Sequence, residues 1–473
     1  NYNITEKDVL SYRFSFQRPD VFQPSAYGIY GGPNSGGGFG GNGTQNTIST
    51  AANYTHTFSP TLILEARFGI SWYHNVAVSQ ADGLKTSSEV GIPGVNLDNF
   101  SSGLTTININ GFTGPVLGFV NSLPWDRGEK TYIGSGILTK LWGNHSIKIG
   151  EEIRHNRDLL LQIQDQGGVR GQFTFNGGRT AIPGTDAVAV AAQNGPANAF
   201  ASFLLDLPAN YSRDLKILDQ VGTQQYNYFT FIQDNWQVTQ KLTVNLGLRH
   251  EYYTPLVGLV DRGGLSNYIP SNNTEIVAGY GSVPQNVGVK GTWKNFAIRS
   301  GLSYRINDKT VIRGGYGESI IPFPDNSYAF NFPVKQNNQF NAANGFVPVG
   351  SLATGFSTPS IFDIPANGII DASLPILRNS ALYYAPPDLK EGKLHSYNVA
   401  FQRQLPWSFT VDAAYVGNTG RGILANLDLN AANTLGLATF NTTTGAFNDN
   451  PTRPLFTPYG RTASVTTRVP TDT

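Results

Sequence analysis

The feature that most constrains this chain is a period of two in its apolar residues, repeated along most of its length. Within 242–253, Leu242, Val244, Leu246, Leu248, His250 and Tyr252 share one parity; Thr243, Asn245, Gly247, Arg249, Glu251 and Tyr253 share the other. The segment from Thr61 to His74 sets Leu62, Leu64, Ala66, Phe68, Ile70 and Trp72 against Thr61, Glu65, Arg67, Gly69 and Ser71. The same split recurs at 296–306, and again at 409–418, where Phe409, Val411, Ala413 and Tyr415 oppose Thr410, Asp412 and Asn418. Successive strand side chains point to opposite faces, so each segment reads as a strand with one apolar and one polar face.

The connections between these strands alternate in length. Among the short links (58–61, 142–145, 239–241, 307–309 and 406–408), all but 239–241 carry Gly, Pro, Asn, Asp or Ser, the residues of tight turns. Between them lie long segments (76–128, 159–221, 254–293, 320–393 and 420–461), rich in Asn, Gly, Ser, Thr and Pro. Loops this long are uncommon in a compact soluble domain. Tight turns at one end and long loops at the other are the asymmetry of an outer-membrane barrel. The expected fold is therefore all-β, a transmembrane antiparallel β-barrel with short periplasmic turns and long extracellular loops. Trp72, Tyr73, Trp142, Tyr226, Tyr228, Trp236, Tyr252, Tyr253 and Trp407 fall near strand ends, as interfacial girdles would. Leu246→Arg and Leu302→Arg are expected to abolish membrane assembly; Asn245→Arg and Ser303→Arg are expected to be tolerated.

Two charges break the pattern. Glu151 shares parity with Ile147, Ile149 and Ile153, and Arg403 with Tyr397, Val399 and Phe401. Arg403 is close enough to a turn to snorkel; Glu151 calls for a bulge or shielding from lipid. The stretch around Phe229 and Phe231 is apolar on both faces, which suits packing against something inside the barrel.

Composition excludes several classes. Lys and Arg number 33 against 32 Asp and Glu, so no basic surface for nucleic acid is built in. There is no Cys, which removes disulfides, thiolate metal sites and thiol catalysis. The six His show no HExxH spacing, and girdle or structural roles are expected for them. The glycine run at 31–43 lacks the Lys-Ser/Thr of a phosphate loop and reads as an external loop. No G-x-S-x-G elbow is present. Neither an enzyme nor a cofactor site is expected.

Several segments resemble one family. FIQDNWQVTQKLTVNLGLRHEYY (231–253) resembles a strand pair of TonB-dependent outer-membrane receptors. GNHSIKIGEEIRHNR (143–157), NAFASFLLDLP (198–208), FAIRSGLSYRINDKTVIRGGYG (296–317) and SYNVAFQRQLPWSFTVDAAYVGNTGRGI (396–423) resemble, in order, motifs of its Oar-like branch. Ser202 and Asp206 depart from that branch's Asp and Gly. The resemblance implies a barrel of about 22 strands. About a dozen are countable, and RPLFTPYGRTASVTTRV (453–469) reads as the start of a further one. The expected domain content of 1–473 is thus a barrel segment, truncated at both ends, with plug and N-terminal domains lying outside it. The implied partners are outer-membrane lipid, an unknown large or scarce nutrient, and a TonB-type energy-transducing complex acting through a plug not present in this chain. The implied location is the outer membrane of a Gram-negative bacterium. A passive porin and a surface-exposed structural or adhesive β-protein are the rival readings. The polar faces of the strands supply the site candidates, all expected to face the lumen: Arg67, Arg249, Glu251, Arg299, Arg305 and Arg313. They either pair with one another or a plug, or line a substrate path.

Overall fold

The structure is a computed structural model. It describes residues 1–472 except 34–38, 165–166, 182–194, 218–221, 323–334, 343–344, 358–359, 379, 434–438 and 442–445. Eleven long strands form one antiparallel wall: β1 (Asp8–Gln17), β2 (Gly41–Ser59), β3 (Leu62–Ser79), β4 (Trp125–Trp142), β5 (His145–Gln162), β6 (Gly222–Gln237), β7 (Leu242–Tyr253), β8 (Phe296–Asn307), β9 (Thr310–Ile321), β10 (Gly392–Gln404) and β11 (Thr410–Arg421). Each pairs with the next in chain order, and Tyr2–Asn3 adds a short twelfth member beside β1. The two terminal members do not pair with each other, so the described residues form a wall with two open edges.

The expected tight turns close hairpins at one rim, between β2 and β3, β4 and β5, β6 and β7, β8 and β9, and β10 and β11. The turn at 406–408 holds Trp407 and Ser408 at positive φ, which leaves Trp407 almost fully exposed.

Register carries the parity of each strand across the whole wall. Leu248 lies opposite Ile232 on one side and Ile298 on the other. Phe68 lies opposite Ala52 and Gly134. Leu302 faces Val244 and Gly314, and Val399 faces Gly314 and Tyr415. The apolar side chains therefore form one continuous face. Many of them are exposed on it, including Phe14, Phe68, Ile149, Ile232, Leu246, Ile298, Val399 and Tyr415. A soluble protein would bury such a face; in a membrane, lipid covers it.

Aromatic rings and all six histidines flank this face. His145 lies between Trp142 and Trp236 near the turn rim, and His56 between Tyr54 and Phe58. Toward the other rim, His155 lies between Tyr132 and Tyr226, His74 beside Trp72, His250 beside Trp293, and His395 beside Tyr316. His145 and His155 are ten residues apart on β5. At ~3.4 Å per residue that is about 34 Å of strand, or about 26 Å along the membrane normal for a ~40° tilt. An outer-membrane barrel's apolar band is about 25 Å tall. Tyr73 and Tyr253 are exceptions among the expected girdle residues. Their parity turns them to the polar face, and Tyr253 is buried there.

Glu151 stands on the apolar face without a bulge. Pairing of β5 runs unbroken with both neighbours and sets Glu151 opposite Gly136 and Thr230. Arg403 lies opposite Thr310 and Val411, beside the turn.

The long connections are not the featureless loops that their composition suggests. Lys335–Asn341, Asn210–Lys216, Gln172–Phe175 and Thr106–Ile109 form a four-stranded sheet drawn from three different loops. Its core includes Val95, Ile107, Ile109, Phe173, Phe175 and Phe356. Ser266–Ile269, Thr274–Val277 and Ile369–Asp371 make a second sheet; Leu382–Tyr384, Val465–Thr471 and Ile423–Asp428 make a third. Tyr268, Val277, Ile370, Leu377, Leu382 and Val465 form a shared core. The strand read from 453–469 thus exists at its C-terminal end, but it belongs to this cap and not to the wall. The glycine run also divides: Gly41–Gly43 begin β2, Gly31 and Gly32 pack on 116–118, and 34–38 lie outside the described residues.

The segment 196–204, expected within a loop, is a helix, α1 (Pro196–Leu204), with Pro in its first turn and Ala199 and Ser202 buried. Asp206, where the Oar-like branch carries Gly, has φ +55°, the left-handed region that Gly favours. Its carboxylate accepts from the backbone N–H of Leu352 and Ala353 at 2.6 and 3.1 Å, tying two loops together.

Candidate functional site

Register gathers all six candidate charges on the polar face, and they fall into separate groups there. Arg249 lies opposite Phe231 and Ala297, and Arg299 lies opposite Gly247 and Gly317. Because Gly247 has no side chain, a hollow of about 160 Å³ opens there, lined by Phe231, Gln233, Gly247, Arg249 and Arg299 among others. Arg249 pairs with Glu251 at 2.8 Å, and the Tyr253 hydroxyl donates to the same carboxylate at 2.5 Å. Arg313 is opposite Ser303, one strand further on. Arg305 turns to the rim and donates to the Gln240 carbonyl at 3.1 Å. Arg67 stands four strands from β7, about 19 Å at ~4.8 Å per strand, and pairs with Glu65 at 3.5 Å.

Two residues that belong with Arg249 were missed. Arg154 and Glu152 share its face, and Arg154 pairs with Glu152. Their parity, opposite to Ile149 and Ile153, was the available signal. Arg154 and Arg249 both lie over the Phe229 ring, at 5.3 and 4.5 Å, and Tyr253 meets the ring edge at 5.5 Å. Phe229 is 3% exposed. The doubly apolar stretch is therefore satisfied within the wall. Phe229 is covered by arginines, and Phe231 lies over Gly150, where a Cβ would come within 2.4 Å of its ring.

A second concave site lies in the cap. Tyr211, Arg213, Asn338, Gln339, Phe340 and Phe356 line much of a cleft of about 580 Å³, and Phe362, Pro375 and Ile376 line it too. Phe340 stacks on Tyr211 at 4.6 Å, and Tyr211 stacks on Phe173 at 5.5 Å, with interplanar angles of 16° and 12°. Phe356 braces Tyr211 and Phe173 from the side. Arg213 lies 4.7 Å over Phe356 and donates to the carbonyls of Gly94 and Ser357. Burial pushes its pKa down to about 10, so it remains a cation at neutral pH.

Two further buried arginines hold the cap in the same way. Arg170 donates to the Val120 carbonyl at 2.8 Å, and Arg461 to that of Leu377 at 2.9 Å and to that of Ser380. Burial pushes both down to about 10. Glu275, fully buried near Arg461, is pushed up to about 8 by desolvation, against the lowering effects of Ser266 and Arg461.

A family model described as the outer membrane beta barrel domain matches residues 1–472. No curated protein matches. Solved structures similar to this chain include the alcaligin outer membrane receptor FauA from Bordetella pertussis (9% identity, 90% of this chain, 43% of that one, TM-score 0.42). They also include the FrpB iron transporter from Neisseria meningitidis (9%, 98%, 46%, 0.42) and the outer membrane transporter YddB from Escherichia coli (9%, 99%, 42%, 0.45). The chain spans less than half the length of each of these three. With its apolar wall face, flanking aromatic belts and rim asymmetry, the chain belongs to the outer membrane β-barrel domain family and resides in the outer membrane of a Gram-negative bacterium.

Proposed function

We propose that this chain is the barrel part of a TonB-dependent receptor of the Oar-like branch that takes up a large or scarce nutrient. The observation that carries the reading is the difference between the two rims. One has only tight turns; the other carries a cap of folded loops with a ligand-sized cleft. A passive pore needs no such cap. In this reading the cap binds the nutrient and the polar wall face lines the lumen. Arg67, Arg249, Glu251, Arg299, Arg305 and Arg313 then face a plug domain or the passing ligand, and an inner-membrane complex supplies the work through that plug. The barrel would be completed, and the plug supplied, by parts of the protein outside this chain. The ordered hairpin motifs at 143–157, 231–253, 296–317 and 396–423 support the branch assignment.

The test is nutrient uptake in the native host. A strain lacking the protein should fail to grow on its nutrient at limiting concentration. Inactivating the inner-membrane energy transducer should give the same defect. Uptake that survives loss of the transducer would instead make the protein a passive porin. Normal uptake without the protein would leave a structural or adhesive surface role.

A further inference from the structure

We infer that the cap cleft binds a neutral, polyhydroxylated ligand, an oligosaccharide, seated on the Phe340 ring. The inference rests on the receptor reading above and names its ligand class.

The first argument is the platform. Phe340 lines the cleft with 41% of its surface exposed, whereas Phe173, at the base of the same ring column, is fully buried. An exposed phenyl ring at the top of a braced column offers a flat apolar surface of fixed orientation. The C–H faces of sugar rings are flat and apolar, while their edges carry hydroxyls. Fixing the platform beforehand lowers the ordering cost of binding.

The second argument is the polar lining. Asn338, Gln339, Ser357, Ser360 and Tyr211 line the same cleft. Amides and hydroxyls each donate and accept, which matches hydroxyl groups that do both. No carboxylate is among the described lining residues, so a cation finds no counter-charge on them. Among the described residues of that lining, Arg213 is the charged one. It is 3% exposed, with its amino groups directed to two backbone carbonyls and its face on Phe356. The described lining offers an entering anion no cation that it can reach, and burying an unpaired charge is costly. The chemistry that remains is neutral, rich in hydroxyls and flat on one side. The volume, about 580 Å³, lies within the usual range of small-molecule sites.

The test uses the full-length protein in detergent micelles, applied to an array of neutral oligosaccharides (glucan, xylan, mannan and chitin fragments) with uronate oligomers and ferric hydroxamate chelates alongside. The expected result is retention of at least one neutral oligosaccharide, unchanged between 0.05 and 0.5 M salt, since no ion pair contributes. Phe340→Ala should weaken it at least tenfold and Phe340→Trp should preserve it; Phe340 is exposed, so neither change should unfold the cap. Asn338→Ala should weaken the same ligand. Preference for uronates or ferric chelates, with affinity falling as salt rises, would overturn the inference. So would neutral oligosaccharide binding indifferent to Phe340→Ala, or no retention of any neutral oligosaccharide. The two readings fail separately. Uptake of a ferric chelate without oligosaccharide binding refutes the ligand class and keeps the receptor. Phe340-dependent oligosaccharide binding without any uptake refutes the receptor and keeps the site.

Discussion

Leu248→Arg should be among the most damaging single charges that can be placed on the wall. Trp236 in the turn-side belt and Tyr228 in the loop-side belt are paired with Val244 and Tyr252. Leu248 lies midway between those two positions, opposite Ile232 and Ile298, with no polar group directly across. A cation at the centre of the apolar band costs about 2–4 kcal/mol, which is roughly 30- to 700-fold in the folding equilibrium. Leu246→Arg should cost less than Leu248→Arg. Residue 246 is two positions nearer the belt and faces Asp234, which already pairs with His145 at 2.6 Å. The expectation that Leu246→Arg abolishes assembly is thereby refined into a gradient with depth. Asn245→Arg, one residue away on the polar face, should cost under about 1 kcal/mol, like most surface changes. The assay is equilibrium unfolding in guanidinium from phosphatidylcholine vesicles, followed by tryptophan fluorescence, with membrane assembly in cells as a second readout. Equal losses for Leu248→Arg and Asn245→Arg would refute the assignment of faces. Equal losses for Leu248→Arg and Leu246→Arg would refute the depth argument alone.

Three further outcomes follow from other parts of the molecule. Glu151→Leu should stabilise the wall by about 1–2 kcal/mol in the same assay, because a carboxylate on the apolar face, six residues from His145 and four from His155, gains nothing from lipid; destabilisation would mean that Glu151 has a partner. Phe229→Ala should cost about 3 kcal/mol, since it removes the buried ring under both Arg154 and Arg249, and unchanged unfolding would show that the two arginines do not depend on it. The cap should loosen as pH rises. Glu275 has a folded pKa of about 8, above its unfolded value, so the stabilised form is the protonated one; that contribution is full below about pH 4.5 and is lost as pH rises through 8. Hydrogen exchange in 266–277 should therefore accelerate between pH 5 and 9 beyond its intrinsic rate, and Glu275→Gln should remove the excess.

The wall was legible in the sequence, whereas the cap was not. Parity alone assigned Leu248, Phe68 and Val399 to one face and Arg249 and Arg299 to the other, because a strand that contacts lipid on one side must alternate over its whole length. The cap strands are too short for that test. Thr106–Ile109 and Gln172–Phe175 contain two apolar residues each, and they pair with each other across two different loops. Their polar average conceals that Ile107, Ile109, Phe173 and Phe175 converge on one core. The Arg154–Phe229–Arg249 arrangement was half legible. The ring was read as needing a partner inside the barrel; instead, the aliphatic and guanidinium surfaces of neighbouring strands cover it, which requires register as well as parity.

That cap bears on how the loops can act. A loop of 60 residues with no core of its own would lose much conformational freedom on gripping a ligand. Here that freedom is already spent, because Phe173, Tyr268, Ile370 and Val465 are fully or almost fully buried in cores built from several loops. Buried arginines reinforce the same junctions, Arg461 linking 461 to 377 and 380, and Arg213 linking 213 to 94 and 357. Each such guanidinium is bound to carbonyls, so removing one strands polar groups in an apolar interior, at a cost of several kcal/mol. The cap is therefore a set of packed sheets with a cleft between them; on the receptor reading proposed above, ligand selection falls to the rings and amides that line it.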